Sequence, residues 1–358
     1  MTLDTTYTDY CARMGDIIAK GGPSPEDFNR LALELFALQF EANQPLQKLC
    51  RARGIEPGSL SGWRDIPALP AAAFKEADVT TLPPTQRTHV FHSSGTTDQT
   101  PSRHFHNEES LALYETSLKP WFKRHVLKEA TLPVRFGLLT PRPMKAPRSS
   151  LVHMFETVTT AFGSGDSEWL GRLDGSHAWT IDSKACFAFL QAATEEQTPV
   201  VLLGTAFLFV HLLDELNASN QRIILPPGSV VMETGGYKGR SRELSREQLH
   251  RLIGQQLGVG EANIVREYGM SELSSQAYAR DANAFLFPPW ARAQIISPET
   301  GREAAEGETG LIRLFDLANL RSVAALQTED LGIRRGVGFE LLGRASIAEP
   351  RGCSRMTL

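Results

Sequence analysis

Cysteine is scarce in this chain: its 358 residues hold four, Cys11, Cys50, Cys186 and Cys353. They are widely separated and form no C-x-x-C pair, which argues against a disulfide framework or a thiolate zinc site and fits a reducing cytoplasm. An excess of either charge is also missing. Thirty-seven Lys and Arg stand against 41 Asp and Glu, for a net charge of −4, and neither sign forms a block that could serve as a nucleic-acid tail or a polybasic membrane anchor. There is no internal repeat and no low-complexity tract. The N-terminus, "MTLDTTYTDYCARMGD", has neither the basic start nor the apolar run of a secretory leader. The most apolar segment, "VVLLGTAFLFVHLLDEL" from Val200, is interrupted by Gly204, Thr205 and His211 and falls short of the roughly 20 apolar residues that span a bilayer. It reads as a buried strand entering a helix, so no integral membrane contact is expected.

What is present is an alternation of strand and helix. Residues 24–50 place apolar side chains at helical spacing behind Ser24 and Pro25, suited to the N-cap and the first turn. "THVFHSSGTT" reads as a strand running into a turn. The segments "VRFGLLTP", "PVVLLGT", "GSVVMETGG" and "ANIVREYGMSE" read as strands, separated by the helical patterns of "NEESLALYETSLKPWFKRHVL", "AFLFVHLLDELNA" and "SREQLHRLIGQQLG". This order predicts an α/β fold with mostly parallel or mixed β-sheets flanked by helices over residues 1–284. Short strands such as "ARAQIIS" and "TGLIRLFD" predict a smaller β-rich subdomain over 285–344, and residues 345–358 are expected to form a mobile tail.

Several loops carry polar residues in suggestive company. "HSSGTT" packs the hydroxyls of Ser93, Ser94, Thr96 and Thr97 around Gly95, with Arg103 and His104 downstream. One glycine permits close backbone approach to an anion and the hydroxyls supply donors, although such a cluster alone reads equally as a turn. "METGGYKGR" ends a strand in Gly235, Gly236 and Tyr237, followed by Lys238 and Arg240. "REYGMSE" ends another in Tyr268, Gly269, Ser271 and Glu272. Asp330 and Arg344 follow in "LQTEDLG" and "LLGRAS". Taken singly, the double glycine could close a hairpin, Tyr268 could be core and the Asp-Leu-Gly turn needs no ligand. His92, His104, His106 and His153 match no strong zinc spacing.

In this order, "SSGTT", "TGGY", "YGMSE", "TED" and "GR" resemble the motifs of the adenylate-forming superfamily, which activates carboxylates with ATP. The resemblance implies that Ser93, Ser94, Gly95, Thr96 and Thr97 wrap the ATP phosphates. It implies that Gly235, Gly236 and Tyr237 pass beside adenine, that Tyr268, with Gly269 next to it, stacks on that base, and that Ser271 contacts the α-phosphate. Glu272 would hold Mg2+, and Asp330 the ribose hydroxyls, with Arg344 nearby. More narrowly, "IPALPAAAFK", "SSGTTDQTPSRH", "GTAFLFVHLLDEL", "ETGGYKGRSREL", "EYGMSELSSQAY" and "RGCS" resemble the acyl-protein synthetase (LuxE) family. That implies a ligase that forms a fatty acyl-adenylate, passes the acyl group to a C-terminal cysteine, here Cys353, and presents the thioester to an acyl reductase partner. Transfer to coenzyme A or a carrier protein, and a non-catalytic scaffold for a reductase, remain alternatives.

Full-length members of the superfamily carry a lysine-bearing lid domain, and only fourteen residues follow Arg344 here. Lys238, Arg240 or Arg103 is therefore expected to supply the positive charge, with His104 orienting phosphate or carboxylate. Gly204, Thr205 and Phe207 are candidates for the acyl pocket, and Cys11, Cys50 and Cys186 for core packing.

Overall fold

The computed structural model describes residues 3–93, 100–128, 130–235, 242–280 and 284–345. Three helices come first: α1 (Leu3–Ala19), α2 (Pro25–Ala42) and α3 (Gln44–Ala52). Ser24 caps α2 by accepting from the Asp27 amide, with Pro25 in its first turn, as the sequence predicts. After β1 (Leu69–Pro70) and the short α4 (Ala73–Glu76), β2 (His89–His92) and β3 (Arg103–His106) form an antiparallel hairpin. There follow α5 (Glu108–Phe122), β4 (Arg135–Leu138), α6 (Ser150–Phe162), β5 (Glu168–Trp169), a small hairpin of β6 (Gly171–Leu173) and β7 (Trp179–Ile181), and α7 (Ser183–Glu195). Then come β8 (Val200–Thr205), α8 (Ala206–Ala218), β9 (Val230–Thr234), α9 (Arg246–Leu257), β10 (Ile264–Tyr268) and β11 (Ala277–Arg280). The described chain closes with β12 (Ala291–Ile296), β13 (Thr309–Asp316), β14 (Ala325–Arg335) and β15 (Gly338–Arg344).

The larger sheet has the order β11-β10-β9-β8-β4-β5 and is parallel except for β11. Its strands are apolar because both faces are covered. On β8, Val200 and Leu202 pack with α7, α8 and α9, while Val201 and Leu203 pack with α5 and α6. The chain leaves β4 for β5 through α6 and returns to β8 on the other side of β4. Helices α6 and α8 therefore lie on opposite faces, and the carboxyl ends of β4 and β8 flank a topological switch point, the place where open α/β sheets bind ligands.

The second sheet runs β1-β14-β13-β12, with β15 also paired to β14. The α/β architecture with a β-rich C-terminal sheet is thus the one the sequence predicts. Helices α1 and α2 pack on this second sheet: Tyr7, Tyr10, Phe28, Leu31 and Phe36 share a core with Leu314, Phe315 and Leu326. Buried polar groups pin the two together. Gln39 donates to the carbonyls of Asn319 and Leu320 and accepts from the Ala324 amide, Asn43 donates to the Ser322 carbonyl, and the Tyr10 hydroxyl donates to that of Leu317. Among the described residues no helix is long and apolar enough to cross a membrane.

Candidate active site

The strands β8, β9 and β10 end level with one another: Thr205 pairs with Thr234, and Thr234 with Glu267. The loops that follow them hold the motif residues. Gly235, just past β9, has φ +68°, a conformation open to glycine at no steric cost. Gly236, Tyr237, Lys238 and Arg240 lie outside the described residues, as do Ser94, Gly95, Thr96 and Thr97 of the hydroxyl loop. The stem of that loop is described. Ser93 accepts from the Ser102 amide at 2.9 Å, and its own amide donates to the Ser102 carbonyl at 3.3 Å.

The hairpin and the loop after β10 meet at Ser271. His104 Nδ1 donates to the Ser271 carbonyl at 2.8 Å, and the hydroxyls of Ser102 and Ser271 are 3.4 Å apart. Burial pushes His104 down to about 4, so it is a neutral imidazole that carries its proton on Nδ1 and positions Ser271. It brings no charge to the site. Arg103, the next residue on β3, is held by Asp78 at 2.9 Å, and Asp78 also binds Arg87 at 2.7 Å.

Glu272 is buried, accepts from the Ser271 hydroxyl at 3.1 Å, and has its own carbonyl bound by Asn319 Nδ2 at 2.9 Å. Ser274 and Ser275, just beyond it, are clamped by Asp316, whose carboxylate accepts from the Ser274 amide, the Ser275 hydroxyl and the Ala318 amide at 2.8–3.0 Å. Sequence reasoning missed Asp316 and Asn319, since nothing in "FDLAN" marks them until β13 is folded against the loop. Among the described residues no group of three or more His, Cys, Asp or Glu could hold a metal ion. One carboxylate beside a hydroxyl is instead a donor set of hard oxygens, suited to Mg2+ that shares its coordination shell with phosphate and water.

Tyr268 bridges the two sheets. Its hydroxyl donates to Asp330 Oδ2 at 2.8 Å, and its ring lies edge-on to Phe339 and within 6.3 Å of Phe285 and Phe287. Asp330 on β14 is directly opposite Arg344 on β15, with Arg344 Nε 3.7 Å from Oδ1. Burial raises Asp330 above the usual carboxylate range, against the lowering pull of the Tyr268 hydroxyl and Arg344. Gly269 approaches Glu267 so closely that a side chain there would collide with the carboxylate.

Of the three acyl-pocket candidates, Thr205 ends β8 at the switch point with its hydroxyl buried. Phe207 packs in the cluster on the α7–α9 face, and a side chain at Gly204 would press on Leu139 and Phe209. Cys353 lies outside the described residues, as does the tail expected to carry it. Cys50 and Cys186 are buried and Cys11 half-buried. Burial pushes the thiol of Cys11 up to about 11 and that of Cys186 to about 12, and raises that of Cys50, so these thiols stay protonated and unreactive.

Residues 25–357 match the family model described as acyl-protein synthetase, LuxE. Among curated relatives, the long-chain-fatty-acid–luciferin-component ligase of Aliivibrio fischeri is 25% identical over 186 residues, covering 49% of this chain and 49% of that protein. The enzyme of the same name from Vibrio harveyi is 21% identical over 183 residues, covering 49% and 48%. The chain spans about half the length of the curated relatives it matches. A solved structure of 2-hydroxyisobutyryl-CoA ligase in an open conformation, with 2-HIB-AMP and CoA, superposes with a TM-score of 0.64 at 13% identity, over 87% of this chain and 74% of that one. ATP-bound MatB from Rhodopseudomonas palustris gives 0.50 at 18% identity, over 80% and 53%. These likenesses establish the adenylate-forming ligase fold.

Proposed function

Because the chain belongs to the acyl-protein synthetase (LuxE) family, we propose that it is a cytoplasmic ligase that activates a carboxylic acid of the fatty-acid class with ATP. One observation carries most weight: β10 ends in Tyr268, bonded to Asp330, and the turn that follows it holds Ser271 and Glu272, braced by His104 and Asn319. An α-phosphate donor and a metal ligand are then supplied by one short segment at the carboxyl ends of the parallel strands, and the same segment holds the ribose ligand, Asp330, through Tyr268.

In this reading the substrate carboxylate oxygen attacks the α-phosphorus of ATP and the bond to the bridging oxygen breaks, giving acyl-adenylate and pyrophosphate. The protein has little covalent work to do beyond positioning and neutralising charge. Ser93 to Thr97 wrap the phosphates, Gly235 to Tyr237 pass beside adenine, and Asp330, steadied by Arg344, binds the ribose. Mg2+ held by Glu272 would offset the negative charge that otherwise repels the attacking carboxylate. Lys238, Arg240 or Arg103 adds the remaining positive charge. For Arg103 this requires exchange of Asp78 for phosphate, since that ion pair holds it in the structure. The Cys353 thiolate then attacks the acyl carbon and AMP leaves, and the thioester is presented to an acyl reductase.

Isotope exchange between pyrophosphate and ATP with a panel of acids tests the first step. Exchange that depends on acid is expected, and it should fall at least about 100-fold in Glu272→Ala. No exchange with any acid would leave only the scaffold reading. Intact exchange in Lys238→Ala, Arg240→Ala and Arg103→Ala alike would remove the assigned cations. The second step predicts a hydroxylamine-sensitive acyl-enzyme that is lost in Cys353→Ser. If that variant still accumulates it, Cys353 is not the carrier.

A further inference from the structure

The face of the larger sheet under α5 and α6 changes character at its carboxyl edge. Leu138, Leu203, Met232 and Val265 stand side by side on β4, β8, β9 and β10, in register, and all lie in one apolar cluster. Two residues further along β8, β9 and β10, the alternation of side chains brings Thr205, Thr234 and Glu267 onto the same face, and Thr140 follows two residues past the end of β4. An apolar row is thus succeeded by a polar one about 14 Å long, from the spacing of four adjacent strands.

This row is buried and incompletely paired. Thr140 is fully buried, and Thr205, Thr234 and Glu267 are each no more than 8% exposed. Among the described residues the hydroxyls of Thr140 and Thr205 have no hydrogen-bond partner. Thr234 donates to Glu267 Oε2, and burial, as the largest cause, pushes that carboxyl up to about 7. A fold gains nothing from burying such groups, because unpaired hydroxyls and a desolvated carboxyl all cost stability, whereas Val, Val and Leu would continue the row beneath. The row spans the switch point between β4 and β8 and ends at Glu267, next to the Tyr268 that binds Asp330.

We propose that Thr140, Thr205, Thr234 and Glu267 form the specificity floor of the acid site, and that the acid activated carries a hydrogen-bond-donating substituent, a hydroxyl or an amino group, rather than being an unsubstituted fatty acid. This rests on the acid-activating reading above. A bare alkyl chain on this floor leaves the hydroxyls of Thr140 and Thr205 unpaired and the Glu267 carboxyl with Thr234 as its partner in the row, whereas a substituent on the acid can pair with the threonine hydroxyls and donate to Glu267. A site built to hydrogen-bond a substituent rejects the analogue that lacks it far more strongly than an apolar pocket can.

The test is ATP–pyrophosphate exchange with acids of equal chain length that are unsubstituted, hydroxylated or aminated at successive carbons. The wild-type protein is expected to show a kcat/KM about 100-fold or more higher for a substituted acid, and the hydroxyl and amino arms identify which donor it takes. Thr205→Val and Glu267→Leu are each expected to narrow the ratio of substituted to unsubstituted acid by about 10-fold or more. That ratio is taken within one preparation, so it does not depend on how much of a variant folds. Equal or better exchange with the unsubstituted acid in the wild type overturns the proposal while sustaining acid activation, and silence with every acid overturns both.

Discussion

Glu267 shows how a residue's setting decides its chemistry. In "REYG" it is one more charged residue on a predicted strand, and nothing in the sequence says that β10 is covered on both faces. Folding places it beside Thr234 and out of water, so its proton is held more tightly in the native state than in the unfolded chain, where its pKa is 4.5. The sign follows: this carboxyl opposes folding least below about 4.5, and stability falls as pH rises through 7. We expect thermal unfolding to show such a decline, worth up to about 3 kcal/mol from this group, and Glu267→Gln to flatten it between pH 4.5 and 7. Asp316, pushed up to about 6 by burial, contributes a similar slope from pH 3.8 to 6 that Glu267→Gln leaves in place. A pH–stability curve unchanged by Glu267→Gln would show that its carboxyl is not buried as described. His104 teaches a related lesson, because the sequence shows a basic residue beside Arg103, and only the buried hairpin reveals a neutral one.

At the scale of elements, legibility followed periodicity. The run "VVLLGT" announces a strand with both faces buried, and the switch to "AFLFVHLLDEL" marks where α8 begins. Helix α1 was passed over because its threonines and aspartates mask the spacing of Tyr7, Tyr10, Met14 and Ile18, all of which are buried. The turn after β10 was legible as a motif but not as a braced structure, since its supports come from His104 on β3, far earlier in the chain, and from Asp316 at the end of β13 and Asn319 just after it, more than forty residues later. Asp316 satisfies two backbone amides and one hydroxyl in and around that turn. Asp316→Ala should therefore cost roughly 3 kcal/mol in denaturant unfolding, and Asp316→Asn, which keeps an acceptor, distinctly less. Equal losses in the two variants would show that the acceptors are not what holds the turn.

For the whole molecule, the first and last thirds of the chain are one packed body. Gln39 on α2 makes its bonds 280 to 285 residues away, with the loop after β13, which then supplies Asn319 to the Glu272 carbonyl. No local pattern could announce that partnership, because it depends on which sheet the N-terminal helices cover. Strand β10 has a comparable reach across the molecule. Glu267 and Tyr268 are neighbours in the chain yet face opposite sides of the sheet, one toward the polar row and the other toward Asp330. In the proposed reading, a shift of the β10 backbone that seats an acid on one side also moves Tyr268 and, through its bond, the Asp330 assigned to the nucleotide on the other. Acid and ATP are then thermodynamically linked, each altering the affinity for the other by the same factor, typically 5- to 150-fold for coupling of this kind. Calorimetric titration of each ligand with and without the other should return one shared factor, abolished in Tyr268→Phe, where the bond to Asp330 is gone. Independent affinities would mean that the two sides of β10 act separately.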